Sequence, residues 1–176
     1  LQAKPKVYAT AMIATTSLAS ALTLLNALQH ATGGAVEALE YMSGFYMEQH
    51  QKLFANARQP FAQVHDTNIL VELASTSADL AAQDVTGQPK LMQHFETLLA
   101  AHLETGAILD AGVAQNQAQR VAFWERREQA AEVTASHPRL VNNDIALPLE
   151  SVAAFLDQMK TRLAEIDPQA AALVVS

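Results

Sequence analysis

From Val7 to Val36 the chain runs thirty residues without Asp, Glu, Lys or Arg, although its formal net charge is -7. The inner part, Tyr8 to Leu28, has about the length needed to cross a bilayer as a helix, yet seven of its positions are Ser, Thr or Asn. Leu18, Leu22 and Leu25 follow i, i+4, i+7, while Thr16, Ser20, Thr23 and Gln29 gather near the opposite side. This spacing predicts a helix over residues 7–32 with a wide apolar stripe and a narrow, uncharged polar one. Three settings suit it: the interior of a bundle or assembly, reversible contact with an apolar surface, or a membrane span. Lys4 and Lys6 would supply the positive flank of a span or a signal peptide. Gln29 to Gly34 offer no strong interfacial anchor on the other side, and the chain begins at Leu1 with the run retained, so the run is not read as a removed leader.

The breakers set the remaining elements. Gly33 and Gly34 end or bend the first helix. A second is predicted from about Ala35 to Ala57, with Leu39, Met42, Tyr46, His50 and Leu53 on one side, before Pro60 interrupts it. Asp66 is read as the N-cap of a third, which carries Ile69, Leu70, Leu73 and Leu80. Beyond the turn Thr86-Gly87-Gln88-Pro89 a long pattern begins with Leu91, Met92, Phe95, Leu98, Leu99, His102 and Leu103, and fades near Val133. Ser136-His137-Pro138 and Asn142-Asn143-Asp144 form a connection to a final helix over 148–166, with Pro148 in its first turn. The predicted fold class is therefore all-α: one domain over residues 1–176, with an N-terminal helix at 7–32, central helices over 35–133 and a C-terminal helix. Its architecture is a bundle of four or more long helices with up-and-down connections.

Composition sharpens this picture. Half of the residues are hydrophobic, and there are only six Gly and six Pro, which argues against a many-turned β fold. Cysteine is absent, so neither a disulfide scaffold nor a thiolate metal site is available. That absence suits a reducing compartment, and a cytoplasmic or particle-associated location is favoured. The acidic balance argues against nucleic-acid binding, which needs clustered cations. Arg120, Arg126 and Arg127 make the one basic concentration; with Glu125 and Glu128 among them they read as a solvated helix face with local ion pairs.

Candidate chemistry is sparse. Of the six histidines, His50, His94 and His102 are the set that a bundle core would bring together around a metal or small ligand, but no Glu-x-x-His motif accompanies them. Glu37 and Glu40 lie one helical turn apart and read as a solvent-facing patch rather than an acid/base pair. The sequence has no Gly-x-Ser-x-Gly elbow, phosphate-cradling Gly loop or dinucleotide fingerprint. No catalytic residue, cofactor or enzymatic activity is expected on these grounds. Trp124, beside Phe123 and the charged run Glu125-Arg126-Arg127, suits either a partner or headgroup boundary or the edge of a core.

The stretch Ala38 to Leu99, especially Gln63-Val64-His65-Asp66-Thr67-Asn68-Ile69-Leu70-Val71-Glu72-Leu73-Ala74 and Gln88-Pro89-Lys90-Leu91-Met92, resembles phasins, the helical coat proteins of polyhydroxyalkanoate granules. The resemblance covers about a third of the chain; the uncharged first helix and the C-terminal part depart from it. It implies a non-enzymatic coat protein that binds an apolar granule surface and itself. The expected function is thus assembly or apolar-surface binding through Leu18, Leu22, Leu24, Leu25 and Leu28, with Trp124 as a boundary anchor. Homo-oligomers, a larger assembly and a granule or membrane surface are the expected partners. The alternatives are a structural subunit of a larger particle, such as a virion, secretion channel or filament, and the histidine-lined bundle.

Overall fold

In the computed structural model, which describes residues 3–176, the chain folds around a sheet and not as a helical bundle. Strand β1 spans Val7–Thr15 and is followed by α1, Leu18–Ala31. Strand β2, Val36–Ser43, leads into α2, Gly44–Leu53, and then β3, Thr67–Ser75. After the short α3, Ala78–Ala81, come α4, Lys90–Glu104, and β4, Asp110–Val113. Helices α5, Gln117–Glu128, α6, Ala130–Ala135, and α7, Leu149–Ile166, complete the order. The sheet has the order β2-β3-β1-β4 with every neighbouring pair antiparallel. With α1 and α4 as the connecting helices this is a split β-α-β arrangement, with α2 inserted between β2 and β3.

The all-α prediction fails first in the uncharged run. Its first nine residues are β1, which pairs with β3 without interruption from Val7↔Ser75 to Thr15↔Thr67. Ser17 then starts α1: its side chain accepts a bond from the Ser20 N–H at 3.1 Å. A strand covered on both faces shows no alternation of apolar and polar residues, so β1 and α1 run together as one apolar stretch. The second expected helix begins only at Gly44, and the third is replaced by a strand. Residues 36–43 form β2 before Ser43 caps α2 through the Tyr46 N–H at 3.2 Å. Asp66 precedes a strand, β3, whose residues from Thr67 to Leu73 are all buried.

Two apolar layers flank the sheet. One holds Ala9, Ala11 and Ile13 of β1 and Ile69, Val71 and Leu73 of β3 against Leu24 and Leu28 of α1 and Leu91, Phe95 and Leu99 of α4. The other sets Met12, Met42 and Leu70 against Tyr46 and Met47 of α2 and Val133 of α6, with Phe123 and Trp124 of α5 packed beside them. Small residues dominate β1 because helices press on it from both sides. No helix among the described residues is long and apolar enough to cross a membrane, and residues 8–28 are divided between strand and helix.

Candidate functional site: a charged layer between helix α5 and the sheet

The second layer is not purely apolar. On α5, whose N-cap Asn116 accepts from the Gln119 N–H at 3.0 Å, residues 120, 124 and 127 stand at i, i+4, i+7 and so share a face. That face lies on β1, β3 and β2. Register places Thr10 directly opposite Glu72, and the Thr10 hydroxyl donates to Glu72 Oε2 at 2.6 Å. Arg120 grips the same carboxylate with two bonds, Nε to Oε2 at 2.8 Å and Nη2 to Oε1 at 2.7 Å. The Trp124 indole N–H adds a third donor group at 2.9 Å, and Arg120 also stacks over the Tyr8 ring, 4.5 Å from its centroid. Burial alone would raise the Glu72 pKa, but the bonds from Arg120, Thr10 and Trp124 outweigh it and hold the carboxyl below its ordinary value.

A second cluster joins α2 to the end of α5. Arg126 is 2% exposed; Nη1 donates to His50 Nδ1 at 2.9 Å and Nη2 to the Arg58 carbonyl at 2.7 Å. Because arginine can only donate, Nδ1 of His50 is the acceptor, so its proton sits on Nε2 and goes to Gln129 Oε1 at 2.8 Å. Burial and the Arg126 charge lower the His50 pKa, against a smaller raising effect of the Gln129 bond. His50 is therefore a neutral imidazole locked in one tautomer. The Tyr46 hydroxyl donates to the Arg126 carbonyl, and burial pushes its pKa up to about 12.

Arg127 differs from both neighbours. Its Nε donates to Glu40 Oε2 at 2.6 Å, the side chain is 36% exposed, and neither terminal nitrogen has a protein partner among the described residues. It is a guanidinium held in place at one corner with the rest of its fork available. The three arginines thus belong to interactions that reach across the fold; none sits in the solvated, locally paired helix face expected from the sequence. Glu40 likewise leaves the expected acidic patch and faces Arg127, while Glu37 is exposed.

The residues singled out from the sequence scatter. Leu24 and Leu28 are buried against the sheet, Leu18 packs at the edge of the same core, and Leu22 and Leu25 are partly covered. Trp124 lies over the sheet with its N–H on Glu72. His50 is in the layer under α5, whereas His94 is exposed on α4, on the other face, with Nε2 3.2 Å from the Ala31 carbonyl oxygen. His102 is also on α4, so the three do not converge, and no group of three or more potential metal ligands occurs among the described residues.

The comparisons with known proteins decide the family. The model of the FAD linked oxidases, C-terminal domain, matches residues 4–175. The chain belongs to this family. As an FAD-linked oxidase C-terminal domain it is similar to the probable mitochondrial D-2-hydroxyglutarate dehydrogenase of Oryza sativa subsp. japonica, 24% identical over 143 residues, which are 81% of this chain and 24% of that protein. The mitochondrial D-2-hydroxyglutarate dehydrogenase of Arabidopsis thaliana is 25% identical over 156 residues, 89% of this chain and 26% of that protein. The chain therefore spans about a quarter of the length of these curated relatives. Membership replaces the phasin resemblance, the non-enzymatic assembly role and the structural-subunit alternative: the family is one of enzymes. The residues quoted for that resemblance form β3 and the turn into α4.

The family name implies a flavin, and the hollow beside Gly33 and Gly34 does not by itself fit one. A dinucleotide's pyrophosphate needs converging N–H groups or cations. The hollow of about 510 Å³ beside Thr32, Gly33, Gly34 and Ser75 is lined mostly by small residues, with Leu80 and Glu37 and no Lys or Arg. Arg120 and Arg126 are already committed within the layer. What this layer offers is one partly free guanidinium on a rigid support, which suits a single carboxylate.

Proposed function

We propose that this chain is the substrate-facing domain of a flavin-dependent dehydrogenase acting on a 2-hydroxy acid of the D-2-hydroxyglutarate type, with Arg127 binding a substrate carboxylate. The observation that carries the reading is the state of Arg127: pinned through Nε by Glu40, partly exposed, with its terminal nitrogens free. A carboxylate matches the planar fork of a guanidinium and gains two charge-assisted bonds from it. Anchoring helps because Arg127 need not be ordered again at each binding event. Its support extends further, since Arg120 and Trp124 fasten the same face of α5 to Glu72. In this reading the flavin is held by residues other than those described.

The test uses the full-length, flavin-loaded protein with an artificial electron acceptor and D-2-hydroxyglutarate. Arg127→Met removes bonds to a charged group worth about 1.5–3 kcal/mol, so kcat/KM falls roughly 10- to 150-fold. Arg127→Lys retains the charge but not the fork and recovers part of the loss. An Arg127→Met enzyme with unchanged kcat/KM would sink the assignment.

A further inference from the structure

Of the three arginines on α5, Arg126 alone has no anion beside it. Arg120 lies on Glu72 at 2.7 Å and Arg127 on Glu40 at 2.6 Å, so each of those pairs is neutral. Arg126 is more deeply buried than either, yet it forms no ion pair among the described residues. Its two bonds go to the neutral His50 imidazole and to the Arg58 backbone carbonyl, and its Nε is buried without an acceptor. The one side chain whose negative charge would favour it is Tyr46, and that phenol keeps its proton at neutral pH because its pKa is pushed up to about 12. Glu125, Glu128 and Glu132 are exposed, where water and salt screen them. Three guanidinium groups therefore face two carboxylates in the layer under α5, and the positive charge left over belongs to Arg126.

A buried cation without a counter-charge costs the fold stability, so packing alone does not favour arginine at this position. The excess lies next to the group read above as the carboxylate anchor: Arg126 and Arg127 are consecutive, and the charges of both act on the Tyr46 hydroxyl. Arg127 by itself attracts an anion weakly, because Glu40 at 2.6 Å offsets its charge and leaves only the directed bonds of its fork. We propose that Arg126 supplies the net positive charge that draws an anionic substrate to Arg127, acting across the protein and not by contact. Burial makes this effective, since a charge kept from water is screened little and low-dielectric surroundings carry its field toward the partly exposed Arg127. His50 takes part by staying neutral: its Nδ1 accepts from the guanidinium without offsetting the charge, as a carboxylate in its place would. The roles divide, with Arg127 orienting the carboxylate and Arg126 selecting an anion over an uncharged analogue. This inference rests on the reading of Arg127 as the anchor.

The test uses the full-length, flavin-loaded enzyme with D-2-hydroxyglutarate and separates charge from hydrogen bonding. Arg126→Gln keeps an N–H donor and loses the charge. A unit charge acting across protein at an effective dielectric of about 20 or more changes affinity roughly 3- to 10-fold, so KM is expected to rise by about that factor while kcat stays nearly constant, as when an attraction common to bound substrate and transition state is lost. Adding Glu40→Gln restores the excess positive charge without restoring any bond of Arg126, and its amide oxygen still accepts from Arg127 Nε. The double variant should therefore bring KM back toward that of the unaltered enzyme. Should Arg126→Gln not accumulate as folded protein, Arg126→Met, an apolar replacement of a kind that buried charged positions tolerate, is read in the same way. An unchanged KM in the single variant overturns the proposal, and so does a double variant no better than the single one, since a merely structural arginine is not rescued by charge. If Arg127→Met lowers kcat/KM as expected while Arg126→Gln leaves KM unchanged, only this inference falls; an inert Arg127→Met sinks the anchor and this inference together.

Discussion

At the scale of single residues, Glu72 is an acid in the middle of an apolar strand, and its burial is tolerable because three side chains donate to it. Such a pair contributes little net stability when intact, but removing one charge strands the other. Arg120 retains some solvent contact, its side chain being 27% exposed, which softens the penalty. Glu72→Gln is accordingly expected to cost about 2–3 kcal/mol, measured as a shift of the denaturation midpoint in urea at neutral pH. Adding Arg120→Met should recover part of that loss, because the stranded cation is gone. A double variant as unstable as the sum of the two single ones would mean that the ion pair is not what couples these positions.

At the scale of elements, the junction of β2 and α2 shows how tightly the inserted helix is seated. Gly44 donates its N–H to the Asp66 carbonyl at 2.8 Å, and a Cβ there would meet the His65 carbonyl oxygen at 2.8 Å and the Asp66 Cα at 2.9 Å. Both obstacles are backbone, so Gly44→Ala must displace the start of β3; a loss of about 1–3 kcal/mol is expected, read as a lowered thermal midpoint. The same junction shows what the sequence could reveal. Helix α4 was legible because it buries one face, with Leu91, Phe95 and Leu99 inside and its opposite face wet. Strands β1 and β3 were not, because helices cover both of their sides and erase the period of two. The continuous pattern across Ser43 concealed the change from strand to helix for a different reason: Leu39, Met42 and Tyr46 keep a helical spacing across it by coincidence of register. The site left one usable signal, the i, i+4, i+7 spacing of Arg120, Trp124 and Arg127, but a charged helix face is ordinarily solvated, and nothing local identifies Glu72 and Glu40 as its partners. Those pairings exist only once strand order has brought residues 48 and 87 positions apart into contact.

At the scale of the whole molecule, the two clusters under α5 predict how stability responds to acid. His50 has a pKa lowered in the folded state, so between its unfolded value of about 6.5 and its folded one the unfolded chain binds more protons. Stability therefore declines as pH falls below about 6.5, and this loss levels off once the folded imidazole also titrates. Protonation would also place a second cation against Arg126, whose Nη1 now donates to Nδ1. Glu72 is lowered as well; its contribution is complete above the unfolded carboxylate value of about 4.3 and is lost as pH falls through the lower folded value. Two declines, with onsets about two pH units apart, are expected in the denaturation midpoint followed from pH 8 to pH 3. His50→Gln should abolish the upper decline and leave the lower, whereas Glu72→Gln should flatten the lower and leave the upper. If the upper decline persists in His50→Gln, another group drives it and the neutral-imidazole lock between α2 and α5 is not what acid breaks.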